Sequence, residues 1–187
     1  MALSCSLNKS VLKKSSCGYS LASVSDIYLA NRSDVKAIER TISADGDCSG
    51  EVASITLAPD AKWSHIETAK GTSSFTDALT KQDNGSSYRT HSLSFSIAGA
   101  YTPQMACVVD ALSLGNFVAA VRLVSGNMIM LGSEAAGLEA TSVQNVGAAS
   151  SSDFNGLQVE MSVDLGEVAL PLSGDAIEAI LDNVYED

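Results

Sequence analysis

The fold is decided by residues 88–131, YRTHSLSFSIAGAYTPQMACVVDALSLGNFVAAVRLVSGNMIML, which open with a β-strand pattern. One face of Tyr88–Ala98 carries His91, Leu93, Phe95 and Ile97, and serines fill most alternate positions. This period of two is typical of a strand with one buried face. Two apolar strands are predicted at the other end, Phe117–Val124 and Met128–Leu131. The short connection between them contains a glycine suited to a hairpin turn.

A helix is predicted between these strands, at Thr102–Leu114. Thr102 is suited to the N-cap, and Pro103 to the first helical position, where its missing N–H is not needed. Apolar side chains recur at helical spacing, namely Met105, Val108, Val109 and Leu112. Gly115 is expected to end the helix in the left-handed conformation.

Further strands are predicted on both sides of this stretch: Val24–Ala30, Ile38–Ile42, Val52–Leu57, Trp63–Thr68, Leu138–Thr141 and Leu157–Leu165. The last has an acidic outer face that includes Glu160 and Asp164. A C-terminal helix is predicted at 173–184, with Ser173 as its N-cap. Many short strands and few helices predict a mainly β fold, an antiparallel β-sandwich or barrel-like domain with one inserted α-helix and a C-terminal helix.

The 187 residues are predicted to form a single domain. Residues 1–18 are rich in serine and lysine and are predicted to be an N-terminal arm. Two stretches of small and polar residues, 69–87 and 132–156, are predicted to be long loops. Such loops on compact β-domains usually contact a partner. Phe75 and Leu79 are the main apolar side chains of the first loop.

The charge of the chain is divided unevenly. Residues 1–100 carry ten basic and ten acidic side chains, whereas residues 101–187 carry Arg122 against twelve acidic side chains. The whole net charge of −11 therefore lies in the second part. A protein that grips nucleic acid shows a basic stripe, and none is visible here. The acidity indicates solubility or a surface that repels phosphate.

No constellation for catalysis, a cofactor or a metal is recognisable in the sequence. It contains neither a Gly-x-Ser-x-Gly nucleophile motif nor a glycine-rich phosphate loop. Of the two histidines, His91 alternates with apolar residues, which favours a core or interface position, and His65 has no triad partners nearby in sequence. The sequence therefore predicts a protein that is not an enzyme and takes no cofactor.

The four cysteines are Cys5, Cys17, Cys48 and Cys107, and none has the short spacing of a zinc site. Free cysteines and the lack of a secretion signal pattern indicate assembly in a reducing cytoplasm. No apolar run approaches the length of about 20 residues that a membrane helix requires.

Short motifs in this chain occur in an order known from one protein family. They are Asp26-Ile27-Tyr28-Leu29-Ala30, Thr72-Ser73-Ser74-Phe75-Thr76-Asp77, Asn84-Gly85-Ser86-Ser87-Tyr88, Ser125–Gly132 and Gly137–Leu157. Over residues 16–165 this pattern resembles small tail-tube-like virion proteins from phages and prophages of Bacteroidota. The chain departs from it at Met128, where an aromatic residue is common, and in an inserted-looking stretch, Lys36–Ser49.

The resemblance implies a β-sandwich with a flanking helix that self-assembles into rings, commonly hexameric, stacked around a DNA-conducting lumen. It implies a place in the virion, in a phage tail assembled in the cytoplasm of a bacterial host. The implied partners are further copies and other tail or neck proteins, with no membrane, and DNA passes without binding. Phe75 and Leu79 would then contact a neighbouring subunit, and Glu160 and Asp164 would face the lumen.

Two other functions stay open. One is a different phage structural component, such as a tail terminator, neck or capsid-associated protein. The other is a receptor- or carbohydrate-binding β-sandwich, which the aromatic content of 5% disfavours because sugar sites usually stack on aromatic rings.

Overall fold

A computed structural model of the chain describes residues 23–42, 50–68, 71–83, 85–99, 102–147 and 154–185. The predicted arm, residues 1–18, lies outside this range. The elements are β1 Val24–Asn31, β2 Val35–Ile42, β3 Gly50–Leu57, β4 Ser64–Ile66, β5 Ser74–Lys81, β6 Ser87–Ala98, α1 Pro103–Leu114, β7 Asn116–Leu123, β8 Met128–Leu131, β9 Leu138–Val146, β10 Gly156–Leu165, β11 Leu170–Pro171 and α2 Gly174–Leu181.

Strand β7 joins two antiparallel sheets. One edge of β7 pairs with β1, and the other pairs with β8 and, at Asn116 and Phe117, with β9. The pairing is continuous, so nine strands of the described residues form one connected sheet whose two parts meet at β7. The part called the first sheet below runs β4-β1-β7-β8-β11, and the part called the second sheet runs β9-β10-β6-β5, while β2 and β3 form a separate pair. The prediction of a mainly β, antiparallel sandwich with two helices is confirmed.

The main hydrophobic core lies between the two sheets. It takes alternate side chains from each strand because successive residues of a strand point to opposite faces. Its buried members are Ile27, Leu29, Leu93, Phe95, Leu112, Phe117, Ala119, Val121, Leu131, Leu138, Leu157, Val159 and Met161. Leu112 comes from α1, which also packs beside β9.

A second core covers the opposite face of the first sheet. There the β2–β3 hairpin and α2 pack on the side chains that β1, β7 and β8 turn away from the main core. Buried members include Tyr28, Val52, Trp63, Val118, Ala120, Met128, Ala176 and Ile180. Because β7 is buried on both faces, its sequence is continuously apolar from Phe117 to Val121 instead of alternating.

Helix α1 begins as predicted. The Thr102 hydroxyl accepts a hydrogen bond from the Met105 N–H at 3.2 Å, and Pro103 occupies the first turn. Gly115 ends the helix as predicted, but not in the left-handed conformation, because its φ is −82°. A side chain there would instead overlap the Phe117 ring and approach the Ala111 carbonyl oxygen to 2.6 Å. In the predicted apolar stripe, Val108 is 38% exposed and does not join the core.

The long loop predicted at 69–87 is wrong. Strand β5 occupies the eight residues Ser74–Lys81 at its centre and pairs with β6 along its whole length, so the two strands form a hairpin. Phe75 is half-buried and packs against the main core. Asp77 holds the inward position between Phe75 and Leu79, and this polar residue interrupts the apolar alternation that would have indicated a strand.

The loop predicted at 132–156 is also wrong over the length of β9, which extends well past the predicted Leu138–Thr141. A bulge explains the error: Glu160 pairs with Ser142 and Met161 with Ala140, so Thr141 is the extra residue. An extra residue reverses the alternation of the strand and hides its period.

Helix α2 begins at the predicted cap, where the Ser173 hydroxyl accepts a hydrogen bond from the Ala176 N–H at 3.2 Å. It ends at Leu181, before the predicted end of the 173–184 segment. Val184 leaves the helix and forms an isolated bridge with Trp63.

Candidate functional site

The outward face of the second sheet is composed of small polar and acidic side chains and is called the polar face below. It is the side of each strand that points away from the main core. Its positions include Ser74, Thr76, Ala78 and Thr80 of β5, Tyr88, Thr90, Ser92, Ser94 and Ser96 of β6, Gln158, Glu160, Ser162 and Asp164 of β10, and Glu139, Ser142 and Gln144 of β9.

Hydrogen bonds between neighbouring strands fix the side chains of the polar face. The hydroxyls of Ser74 and Ser94 lie 2.9 Å apart, and those of Thr76 and Ser92 lie 2.6 Å apart. The Thr90 hydroxyl donates to Asp164 Oδ1 at 2.6 Å. These bonds hold side chains of β5, β6 and β10 against one another across the face.

The charge of the polar face is entirely negative. Its charged side chains are Glu139, Glu160 and Asp164, all exposed, and none of its described positions holds Lys, Arg or His. The prediction that Glu160 and Asp164 share an exposed outer face is confirmed. Glu139 lies in the predicted strand Leu138–Thr141, but the sequence does not place it on this face, because the pairing of β9 with β10 is not visible in local sequence. The inward Val143 and outward Gln144 after the bulge are the signal that could identify the full length of the strand.

The second sheet has two unlike open edges. Within the described part of the chain, β5 pairs only with β6, and β9 beyond Glu139 pairs only with β10. Such edges present unpaired backbone N–H and C=O groups to a further strand. Leu79, on β5, is 52% exposed, whereas the helix beside β9 exposes 88% of Leu114.

Two depressions of the described surface do not resemble small-molecule sites. One, of about 420 Å³, lies near Arg32, Asn116 and Asp164, and the other, of about 250 Å³, lies on the polar face near Ser94 and Glu160. Both are open, and the first is lined mainly by polar groups, whereas ligand pockets are predominantly apolar and enclosed. Neither is lined by the Trp or Tyr rings on which sugars stack.

His91 lies in the interior and joins the two sheets. It is 1% exposed, its Nε2–H donates to the Glu167 carbonyl oxygen at 3.0 Å, and its Nδ1 accepts from the Gly132 N–H at 3.3 Å. Because Gly132 N–H can only donate, Nδ1 must be unprotonated and the ring neutral. The prediction of a core position for His91 is confirmed.

Asp77 is the charged neighbour of His91, with its Oδ1 3.7 Å from the ring Nε2. It accepts hydrogen bonds from Arg89 Nε at 2.6 Å and from the Ala169 N–H at 3.0 Å. Burial would raise the pKa of Asp77, but these two donors outweigh burial and lower it. Burial lowers the pKa of His91, and the attraction of Asp77 only partly offsets that effect.

The His91 cluster extends to the β2–β3 hairpin through an ion pair. Glu167, whose carbonyl oxygen holds His91, pairs through its carboxylate with Arg40 of β2. The hydrogen bond from Arg40 lowers the pKa of Glu167. With every polar group engaged and the ring closed to solvent, the arrangement holds segments together and has no position for a substrate.

His65 is placed differently, at the margin of the first sheet. Its Nε2 lies 3.1 Å from Asp26 Oδ1, and its ring stacks on Tyr28 with centroids 5.0 Å apart. Asp26 could not be identified from local sequence because 39 positions separate the two residues. The nearby Ser25 hydroxyl donates to the Arg122 carbonyl oxygen instead of to His65, so the three do not form a catalytic triad.

Neither a metal site nor a membrane-spanning helix is found in the described ranges. No three His, Cys, Asp or Glu side chains converge there as ligands for a metal ion. No helix in the same ranges is long and apolar enough to cross a membrane.

Comparison of the chain with protein-family models, with curated proteins and with solved structures finds no match. No relative therefore supplies site residues. The polar face and the two open edges of the second sheet are the features that bear on function.

Proposed function

We propose that this chain is a virion structural protein, a tail tube subunit whose copies join into hexameric rings stacked around a DNA-conducting lumen. The family resemblance suggests the hexamer and the place in a phage tail. The observation that carries the proposal is the second sheet, which combines an acidic face, without Lys, Arg or His at its described positions, with two unlike open edges. Subunits that meet through two different surfaces form closed rings or open filaments, depending on the rotation between them.

The edges supply the contact between subunits. In a ring, β5 of one copy lies beside the free part of β9 in the next, and the backbone groups of both strands become paired. Pairing of this kind depends on main-chain hydrogen bonds and tolerates many side chains. Leu79 adds apolar contact at this junction, because more than half of its surface is free. Phe75 contributes little directly, since it packs within its own subunit.

The polar face then lines the lumen. Attraction of DNA increases with each Lys or Arg that neutralises a phosphate, and this face offers none among its described positions. Glu160, Asp164 and Glu139 instead repel the phosphates. DNA can therefore pass along the wall without being retained.

Electron microscopy of the purified protein across a concentration series tests the assembly. We expect rings or tubes with a central hole, increasing with concentration. Leu79→Asp places a carboxylate in the junction and should weaken association by at least about 1.4 kcal/mol. This loss corresponds to an assembled fraction at least about tenfold lower. Val124→Asp is the matched control: Val124 is 46% exposed in the β7–β8 turn and should leave assembly unchanged.

Monodisperse monomers at every concentration would contradict the tube subunit. Single rings that never stack would favour a terminator or neck protein. Monomers that bind a glycan array would favour the carbohydrate-binding module.

A further inference from the structure

We propose that His91 is an acid-operated lock between the two sheets. Protonation of its ring breaks the hydrogen bond from Gly132 and releases the β8–β9 turn together with the segment that links β10 to β11. The inference concerns the single subunit and does not depend on its assembly.

The position of the ring makes it a lock. His91 belongs to β6 of the second sheet, whereas Gly132 directly follows β8 of the first sheet and Glu167 leads into β11 of the first sheet. One imidazole ring therefore bonds its own sheet to two segments of the other. On the first sheet, both of those bonds are made by backbone groups, the Gly132 N–H and the Glu167 carbonyl oxygen.

The chemistry of the ring makes the lock sensitive to acid. The neutral ring donates at Nε2 and accepts at Nδ1, which matches the Glu167 carbonyl and the Gly132 N–H. A proton added at Nδ1 places two donors face to face. The Gly132 N–H then loses its partner inside the protein, and a buried donor without a partner is unfavourable.

The charged groups around the ring do not compensate. Asp77 of β5 attracts an imidazolium but is already engaged by Arg89 of β6 and by the Ala169 N–H. The Glu167 carboxylate is paired with Arg40 of β2, and Arg40 also interacts with Glu134 of the β8–β9 turn. Asp77 and Glu167 are thus each paired with a guanidinium group, and burial keeps the closed ring neutral.

Lowering the pH favours the open state of the lock. The closed ring has a pKa below the ordinary value of 6.5, whereas in the open state the solvated ring titrates near that value. The open state therefore gains a proton first as the pH falls. Opening becomes progressively more favourable below about pH 6.5, while the lock stays closed at neutral pH.

Hydrogen–deuterium exchange on the unassembled protein at about pH 7.5 and about pH 5 tests the lock. After correction for intrinsic exchange rates, protection of the Gly132 amide and of residues 166–170 should fall by up to about thirtyfold at the lower pH, the limit set by 1.5 pH units of linkage. Amides of Ala119–Val121 in β7 serve as an internal reference and should keep their protection.

Two variants separate His91 from other titrating groups. His91→Gln keeps a donor and an acceptor but does not titrate, so its protection at Gly132 should be independent of pH. His65→Gln removes the other histidine and should retain the wild-type response. Equal protection of wild-type Gly132 at both pH values would overturn the proposal, as would an equal loss in His91→Gln.

A measurement on the wild type alone covers the case in which His91→Gln does not fold. The nitrogen chemical shifts of the His91 ring report its protonation. Loss of protection at Gly132 while the ring remains in the Nε2–H form would overturn the proposal, and loss that follows protonation of Nδ1 would support it.

Discussion

Position 115 requires glycine because a larger side chain would overlap the Phe117 ring. Its φ of −82° is one that other residues also adopt. A glycine after a helix predicts a left-handed cap, but the packing of the Phe117 ring across α1 is a tertiary contact that no local pattern shows. The caps at Thr102 and Ser173 were predictable because capping depends on neighbours three residues away. Residue-scale prediction from sequence therefore succeeds for local hydrogen bonds and fails for contacts made across the fold.

Gly115→Ala should destabilise the protein by about 1–3 kcal/mol, the usual cost of forcing extra volume into a packed site. Urea denaturation followed by circular dichroism measures the change. Gly166→Ala is the matched control: a side chain at Gly166 meets no atom within 4 Å, so it should change stability by less than about 0.5 kcal/mol. Equal midpoints for the two variants would show that the Phe117 ring moves aside without cost.

At the scale of elements, the period of each strand decided what could be predicted. β6 and β10 alternate cleanly along their length and were predicted close to their observed bounds. β5 falls in a predicted loop because Asp77 points inward, and β9 is predicted only at its start, Leu138–Thr141, because Thr141 is inserted as a bulge. Of the two edge strands of the second sheet, the sequence therefore predicts one in part and misses the other.

Phe75 and Leu79 differ in burial within the β5–β6 hairpin, so their substitution should affect stability differently. Phe75→Ala should cost about 2 kcal/mol or more, because it removes a ring that packs on the main core. Leu79→Ala should cost less than about 1 kcal/mol, since most of Leu79 is exposed. Thermal and urea unfolding of the two variants check this. Similar small losses for both would indicate that residues 74–81 behave as the loop first predicted.

At the scale of the whole molecule, the antiparallel sandwich was predictable from the number of short strands and the scarcity of helices. The second core was not, because local patterns do not reveal that α2 and the β2–β3 hairpin cover the outer face of the first sheet. The His91 cluster could not be predicted for the same reason, because the backbone partners of His91 lie 41 and 76 positions away in the sequence.

Stability of the molecule should fall in two stages on acidification. His91, Glu167 and Asp77 all have pKa values lowered by folding, so the unfolded chain binds more protons and stability rises with pH. The contribution of His91 is complete above pH 6.5 and is lost below it, and those of Glu167 and Asp77 are lost below 4.5 and 3.8.

Urea unfolding over a pH series measures both stages. His91→Gln should remove the upper stage and retain the lower one. A free energy of unfolding that increases as the pH falls from 7 to about 5 would contradict the assignment of these shifts.

The charge of the polar face should decide how the assembled protein treats DNA. We expect Glu160→Lys/Asp164→Lys rings to retain DNA in a mobility-shift assay, with binding that weakens steeply as salt increases. Wild-type rings should not retain it. The matched control is Glu178→Lys/Asp182→Lys, which makes the same charge change at exposed positions in α2 and at its C-cap, away from the second sheet. Equal DNA binding by the two variants would contradict a lumen lined by the polar face.

The double burial of β7 leaves this strand almost no evolutionary freedom. Each residue from Phe117 to Val121 faces one core or the other, so a substitution at any of them disturbs packing that a neighbouring position cannot relieve. β10 is constrained only at every second residue and can change the chemistry of the polar face without affecting the core. We therefore expect homologous chains to differ at the outward positions of β10 and to retain the residues of β7.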